Sequence, residues 1–286
     1  MHVHTTHSGM CTLPVLRAVC RESYTEPEAL YERMKRAGMD LVTVTDHDSI
    51  GAAEALGRHD DFFLSEEVTC RMPSGTEIHL GVYGIAERQH TEIQRRRGDI
   101  ESLAAYLEEQ GLFFTINHVF SRLTGPRHAS DFERFGKLFP GVETLNGHML
   151  PSLNRRSAEL AERLGKAPVG GSDAHTLASA GLAWTSVPGA RTKAEYLEGV
   201  RRGRGRVAGA SGTYRKLTVD VLRISAAMAM ENPATALLAP VALLVPAAIA
   251  VNYALETLFL WRWTRKLGLT EARSGFAKEP GPSPAV

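Results

Sequence analysis

Two rhythms of apolar positions alternate along the chain through residue 210. Short β-rich runs occur at 40–45 (DLVTVT), 62–67 (FFLSEE), 78–84 (IHLGVYG), 112–117 (LFFTIN), 142–146 (VETLN) and 167–171 (APVGG). Between them, apolar residues spaced by three and four predict helices over 26–37, 92–109, 151–165 and 192–200. Thr25 stands as N-cap of the first, with Glu28 at capping-box spacing. Strand-then-helix repetition predicts an α/β domain over 1–210 with a parallel sheet, closed or open.

The pattern then breaks. A linker or helix over 211–231 leads to an apolar helical segment at 232–263, whose first part (232–255) carries no charge before Glu256 interrupts it. Twenty-four uncharged residues could span roughly 36 Å as a helix, enough for a hydrocarbon core of about 30 Å. Trp261 and Trp263 beside Arg262, Arg265 and Lys266 have the composition of an interfacial belt. Pro240 and Pro246 count against a straight span, so the expectation is a kinked, membrane-associated segment, with a helical hairpin packed on the domain as its alternative. A Pro/Gly/Ser-rich stretch at 274–286 reads as a disordered tail.

Composition narrows the picture. A length of 286 residues suits one large domain, and a net charge of +1 offers no field for a long polyanion. Three irregularly spaced cysteines (Cys11, Cys20, Cys70) point to a reducing, cytoplasmic setting. The opening is polar, with no secretory leader, and the first motif begins where a strand is already expected to run.

Spaced blocks of acids and histidines carry the chemistry: His2-Val3-His4, Thr45-Asp46-His47-Asp48, Glu67, His79, Asn117-His118 and Gly171-Ser172-Asp173-Ala174-His175. Most close a β-like run, which would bring their side chains to one end of a barrel, where such folds keep their active sites. Imidazole and carboxylate together suit Zn, Mn or Fe, and close-set ions activate water for hydrolysis.

In these blocks (HVHTTHS, TVTDHDS, SEEVT, IHLGVYG, INH and GGSDAH) the chain resembles the PHP, or polymerase and histidinol phosphatase, superfamily of metal-dependent phosphoesterases. The resemblance implies a distorted (β/α)7 barrel, here with a C-terminal apolar helical tail, and two to three divalent ions (Mn, Zn or Fe). Carried over by position, His2, His4 and Asp173 would hold one ion, Glu67 would bridge, His79 and His118 would hold a second, and His47 with His175 a third. Asp173, His175 and His118 are the residues expected to carry catalysis, through water shared between ions. Two departures stand out. Relatives often add an Asp or His ligand where this chain has Gly9 followed by Met10, so the third site is expected to be weak unless His7 or water substitutes. Val119 follows His118 where relatives usually have proline.

For substrate, Arg122 and Arg127 follow His118 in a loop on the same face, and His148 follows the 142–146 run. The resulting expectation is hydrolysis of a small phosphomonoester or phosphodiester, with no nucleic acid beyond short nucleotides as partner and the oligomeric state open. Two alternatives are a catalytically degenerate, membrane-associated scaffold, favoured by Gly9, and a nuclease.

Overall fold

Five of the six β-rich runs become strands in the computed structural model, which describes residues 1–14 and 16–269. The first half contains α1 (Pro27–Arg36), α2 (Ala53–Leu56), β1 (Ser65–Arg71), β2 (Glu77–Tyr83), α3 (Glu87–Arg96), α4 (Ile100–Glu109) and β3 (Phe113–Ile116). The second contains α5 (Ala129–Leu138), β4 (Gly141–Asn146), α6 (Pro151–Leu164), β5 (Ala167–Gly171), β6 (Ala183–Ser186), α7 (Lys193–Arg201) and β7 (Arg206–Gly209). The chain continues through α8 (Tyr214–Glu231), a 3-10 turn at Pro233–Leu238, α9 (Ala239–Ala242) and α10 (Val245–Leu267). The expected tail at 274–286 lies outside the described residues.

The main sheet is mixed and open, in the order β1-β2-β3-β4-β5. Residues 72–76 are too few to make a crossover helix, so β1 and β2 pair antiparallel, as do β2 and β3. With α5 and α6 as crossovers, β3, β4 and β5 run parallel. The regular strands therefore do not close into the expected (β/α)7 barrel. Two extended segments, 1–5 and 41–47, lie beside the sheet edges and pair through isolated bridges rather than ladders: Val3 with Ala174, Val42 with Phe62, and His47 with Glu67. The 40–45 run fails to become a strand for a local reason. Val3 N donates to the Thr45 hydroxyl and Thr5 N to the Asp46 carboxylate, so side chains occupy positions that a regular ladder would give to carbonyls.

Helix boundaries shift by similar local competition. Pro27 opens α1 with Glu26 as N-cap, while the Thr25 hydroxyl turns to the His175 carbonyl instead. The helix expected over 92–109 is two, because Gly98 interrupts it and Asp99 caps a new start through Glu101 N and Ser102 N. Helix α8 takes up the helix alternative for 211–231, whereas α5 and the antiparallel pair of β6 and β7 were not foreseen in the sequence pattern.

The largest core joins the apolar faces of β2 and β3 (Leu80, Val82, Phe114, Ile116) to α4, α5 and α6, and extends to Leu260 and Trp263 of α10. The Trp263 ring lies 4.9 Å from that of Phe132. Glu256, the lone acid of the apolar run, is buried on the same helix and accepts hydrogen bonds from Ser121 Oγ and Arg122 N at 3.1 Å. The other face of this region is open: Leu237 is 86 % exposed, Leu243 81 % and Trp261 59 %. No single helix among the described residues is long and apolar enough to cross a membrane; 233–242 and 245–267 could do so only as a pair bent by 63°. Pro246 sits in the first turn of α10, where its missing N–H costs nothing.

Candidate metal centre

All eight residues expected as ligands meet in one place. His2 Nε2 lies 3.1 Å from Glu67 Oε2 and 3.4 Å from Asp173 Oδ1, and His4 Nε2 lies 3.2 Å from the same Asp173 oxygen. On the other side of Glu67, His118 Nε2 and His79 Nδ1 approach Oε1 at 3.3 and 3.7 Å. His47 Nε2 reaches Glu67 Oε2 at 3.3 Å, so one carboxylate stands between two halves of the cluster. His175 stacks on His4, with ring centroids 4.5 Å apart.

Local structure aims these groups inward. Residues 1–4 pass so close to β5 that a Cβ at Gly171 would stand 2.4 Å from His2 N. Among the described residues, Asp48, His118 and Asp173 are the non-glycines with left-handed backbone (φ 50°, 29° and 48°), and all three belong to the motif blocks. Such strain persists only where the surroundings impose it, and it gathers at functional sites.

The outer partners settle which ring nitrogen faces the centre. His2 Nδ1 donates to Glu143 Oε1 at 2.7 Å, since the carboxylate can only accept. Ser8 Oγ donates to Asp46 Oδ1 at 2.8 Å and so accepts from His4 Nδ1 at 2.9 Å. His175 Nδ1 donates to the Asp173 carbonyl at 3.0 Å. Each of the three is thereby left with an Nε2 lone pair, and for His2 and His4 that lone pair faces carboxylate oxygens. Lone pairs that converge without hydrogens between them need a cation or a proton. Fixing the tautomer in this way is how metal-ligating histidines are prepared. Glu143 also accepts from His118 N and Asn146 Nδ2, and Asn146 Nδ2 reaches Asp173 Oδ2 at 2.9 Å.

Electrostatics agree with the donor set. Burial opposes charge on His2, yet Asp173, Glu67 and Glu143 outweigh it and hold the imidazole well above its usual range. His47 behaves likewise: Glu67 and Glu22 overcome burial and hold it at about 10. Burial pushes His79 down to about 3. Glu67 and Asp173 are held well below the ordinary carboxylate range by the surrounding histidines, against burial. Without a metal, protons on some of the histidines balance the buried carboxylates; a divalent cation fits the same place, and it must displace those protons.

Three functional candidates escaped the sequence reading. Glu22 Oε1 lies 3.3 Å from His47 Nε2 and 3.6 Å from His175 Nε2. Glu143 lies in the 142–146 run without a motif of its own, and its burial on β4 was the missing signal. Lys216 of α8 donates to the Gly147 carbonyl at 2.7 Å and lies within the electrostatic reach of Asp173. His148 is also brought in: it stacks on His175 at 5.5 Å and shares a ligand-sized cluster with Asp173 and His175. The two arginines are not gathered in. Arg127 is buried, donating to the Glu77 carbonyl and Thr124 Oγ1, so its guanidinium fastens the 124–127 loop to β2. Arg122 is exposed, held by its backbone to Glu256. His7 is exposed against Gly51 and belongs to no ligand cluster among the described residues.

Comparison with known proteins adds a decisive segment. A family model described as PHP-associated matches residues 151–204, directly around the Asp173 and His175 motif. Over that segment the chain is similar to the PHP-associated family. Two solved structures share its fold. PsfC from Pseudomonas syringae is 18 % identical, with a TM-score of 0.56 over 79 % of this chain and 96 % of that one. The lesion-specific endonuclease PfuEndoQ from Pyrococcus furiosus is 15 % identical, with a TM-score of 0.51 over 72 % of this chain and 56 % of that one. Comparison with curated proteins returned no match.

Proposed function

We propose that this chain is a metal-dependent phosphoesterase acting on a small phosphomonoester or phosphodiester. The observation that carries this reading is the convergence of His2, His4, Glu67, His79, His118 and Asp173, with the tautomers of His2 and His4 fixed by outer partners. His2, His4 and Asp173 would hold one divalent ion and His79 with His118 another, with Glu67 between them; His47 and His175 stand ready for a third. When bound, the ions neutralise charge on phosphoryl oxygens and bring the pKa of a coordinated water into the neutral range.

The chain's own groups complete the site. Asp173 keeps Oδ2 on Asn146 and turns Oδ1 to His2 and His4, which fixes its orientation. Lys216 supplies a cation within electrostatic reach of Asp173 for the substrate phosphate. Burial keeps His148 neutral, below its usual range, and its Nε2 is buried without a hydrogen bond, 3.4 Å from Asp220. A neutral imidazole accepts a proton, so His148 is placed to act as a base toward a water beside Asp173 and His175. The fold is shared with an endonuclease, but a net charge of +1 supplies no track for a long nucleic acid.

The test is chelation, reconstitution with Mn or Zn, and a screen of phosphorylated metabolites, dinucleotides and long DNA. Turnover of a small phosphoester that depends on added metal is expected. Metal binding without turnover of any phosphoester would favour the scaffold alternative, and preference for long DNA would favour the nuclease. For location, the open apolar face of 232–263 supports contact with a lipid surface, whereas the buried Glu256, Leu260 and Trp263 show that the inner face belongs to the protein core.

A further inference from the structure

Irregular spacing suggests no pairing among the three cysteines, yet the chain from Gly9 to Glu22 folds back as a short hairpin that sets two of them face to face. Met10 bridges Arg21 in antiparallel fashion, and Cys11 N donates to the Cys20 carbonyl and Glu22 N to the Gly9 carbonyl, both at 3.0 Å. One step from that bridge, Cys11 faces Cys20 at a hydrogen-bonded position, where opposed Cα atoms lie about 5.5 Å apart. Disulfides span Cα separations of roughly 4.4–6.8 Å, and opposed side chains share one face of a strand pair. The hairpin is also held from outside. Ser23 Oγ donates to the carbonyls of His4 and His175 at 3.2 Å, and Arg21 Nε pairs with Glu231 of α8 at 2.6 Å. Both thiols are free, so the register exists before any bond between them.

We propose that Cys11 and Cys20 form a reversible redox site, oxidised to a disulfide by a low-molecular-weight disulfide such as glutathione disulfide, and that the bond clamps the root of the arm carrying His2 and His4. The two thiols differ in the way that an ordered exchange requires. Cys20 is buried, and burial, then the neighbouring Cys11 thiol, push it up to about 11. It therefore stays protonated at neutral pH, and the first attack falls to Cys11, the more exposed of the two. Cys11 Sγ, its proton lost to solvent, bonds to one sulfur of the oxidant, whose S–S bond breaks and releases one glutathione thiolate. Cys20 Sγ then bonds to Cys11 Sγ, gives its proton to solvent and expels the second glutathione thiolate. Two protein thiols are oxidised by two electrons, and one glutathione disulfide is reduced to two thiols. In a reducing setting such a pair rests in the thiol form and responds to a shift in redox poise. Cys70 takes no part: it is buried on β1, and burial pushes its thiol up to about 12.

The test requires no turnover, so its outcome is independent of the function proposed above. Full-length protein is incubated with glutathione disulfide, and its free thiols are counted by alkylation after denaturation. Wild type should fall from three thiols to one, and dithiothreitol should restore all three. Arg17 lies within the loop, so trypsin without reductant should release residues 1–17 and 18–21 as one sulfur-linked species that reductant separates. Cys20→Ser should stop at a glutathione adduct on Cys11, and Cys11→Ser should lose no thiol. Three thiols retained in wild type, a stable glutathione adduct on its Cys11, or a link that involves Cys70 or a second chain would overturn the redox site. For the clamp, hydrogen exchange at the Cys11 and Glu22 amides should slow on oxidation, because both bond across the hairpin. Unchanged exchange at both amides in the oxidised protein would refute the clamp.

Discussion

The cluster and the C-terminal helices handle burial in opposite ways. Around Glu67 and Asp173, ionisable groups are removed from water and tied to one another or to outer acceptors, at the cost of left-handed backbone at His118 and Asp173. Along 230–261, large apolar side chains stand in water while a single acid, Glu256, is buried. Each region inverts the ordinary rule of apolar inside and polar outside. The cluster does so because function needs charge held in a dry place. In the helices, the inversion marks a boundary between a face that completes the core and a face left for something else. Buried charge and exposed leucine are thus both informative, and for the same reason: neither is favourable without a counterpart.

Several experiments would break or sharpen that contrast. The largest effect is expected from Asp173→Ala, which removes an inward carboxylate shared by His2 and His4. Metal content should fall, and activity should drop well beyond the roughly 10–100-fold typical of an outer partner. Near-normal, metal-dependent turnover by this variant would show that the cluster does not act as described. Glu143→Gln should cost about 10–100-fold in metal affinity or rate, because His2 loses the acceptor that fixes its tautomer; an unchanged titration would make Glu143 a packing residue. Glu256→Ala should cost about 1–3 kcal/mol in urea unfolding, as Arg122 N and Ser121 Oγ lose a buried acceptor. Burial raises the pKa of Glu256, so the folded state binds its proton more tightly than the unfolded chain does. Its ionisation therefore lowers stability as pH rises from the ordinary 4.5 through the folded value. Glu256→Gln should flatten that part of the profile.

Proton release gives a subtler signal. His47 is held at about 10 in the metal-free cluster, so an incoming cation must displace its proton at neutral pH. Adding Mn(II) to weakly buffered protein at pH 7 should acidify the solution. Apparent affinity should fall about tenfold per unit decrease in pH for each proton displaced. By the same logic, the metal-free fold has the full His47 contribution below 6.5 and loses it as pH climbs through about 10. The smallest effect on stability is expected on the open face, where Leu237→Ser and Leu243→Ser should change unfolding by no more than about 0.5 kcal/mol. If that face meets lipid, full-length protein should pellet with vesicles in high salt and the double variant should not. Equal pelleting of both would separate the exposed leucines from any membrane contact.

The ligands were legible in the sequence because each sits in a short block whose composition is improbable by chance, and blocks in order reinforce one another. Glu22 was not legible, because no fixed spacing ties it to a motif; only the hairpin from Gly9 to Arg21 reveals its place. Glu143 was hidden because it carries no motif of its own, and an acid on a strand reads as outward-facing until the sheet shows both faces covered. The barrel expectation extended strand-helix repetition to segments that do not make ladders. Hydroxyl and carboxylate groups of Thr45 and Asp46 displaced carbonyls there, a competition that hydrophobic periodicity cannot register. The apolar run at 232–263 was read as a kinked membrane-associated segment or a packed hairpin, whereas helical geometry divided it into an inner and an outer face.

The backbone of residues 1–4 has a consequence in time as well as in space. Ser172 Oγ donates to the His2 carbonyl across a separation of 170 positions, and Asp173 N donates to that same carbonyl. At a synthesis rate of about 5–20 residues per second, His2 and His4 wait roughly 10–30 s for the segment that receives them. During that interval the nascent chain carries metal-seeking side chains with no shaped cavity to restrict their choice of ion. Selection of the correct metal must therefore fall after residue 175 has joined the fold, and a ribosome-bound fragment ending earlier should show no cooperative metal uptake.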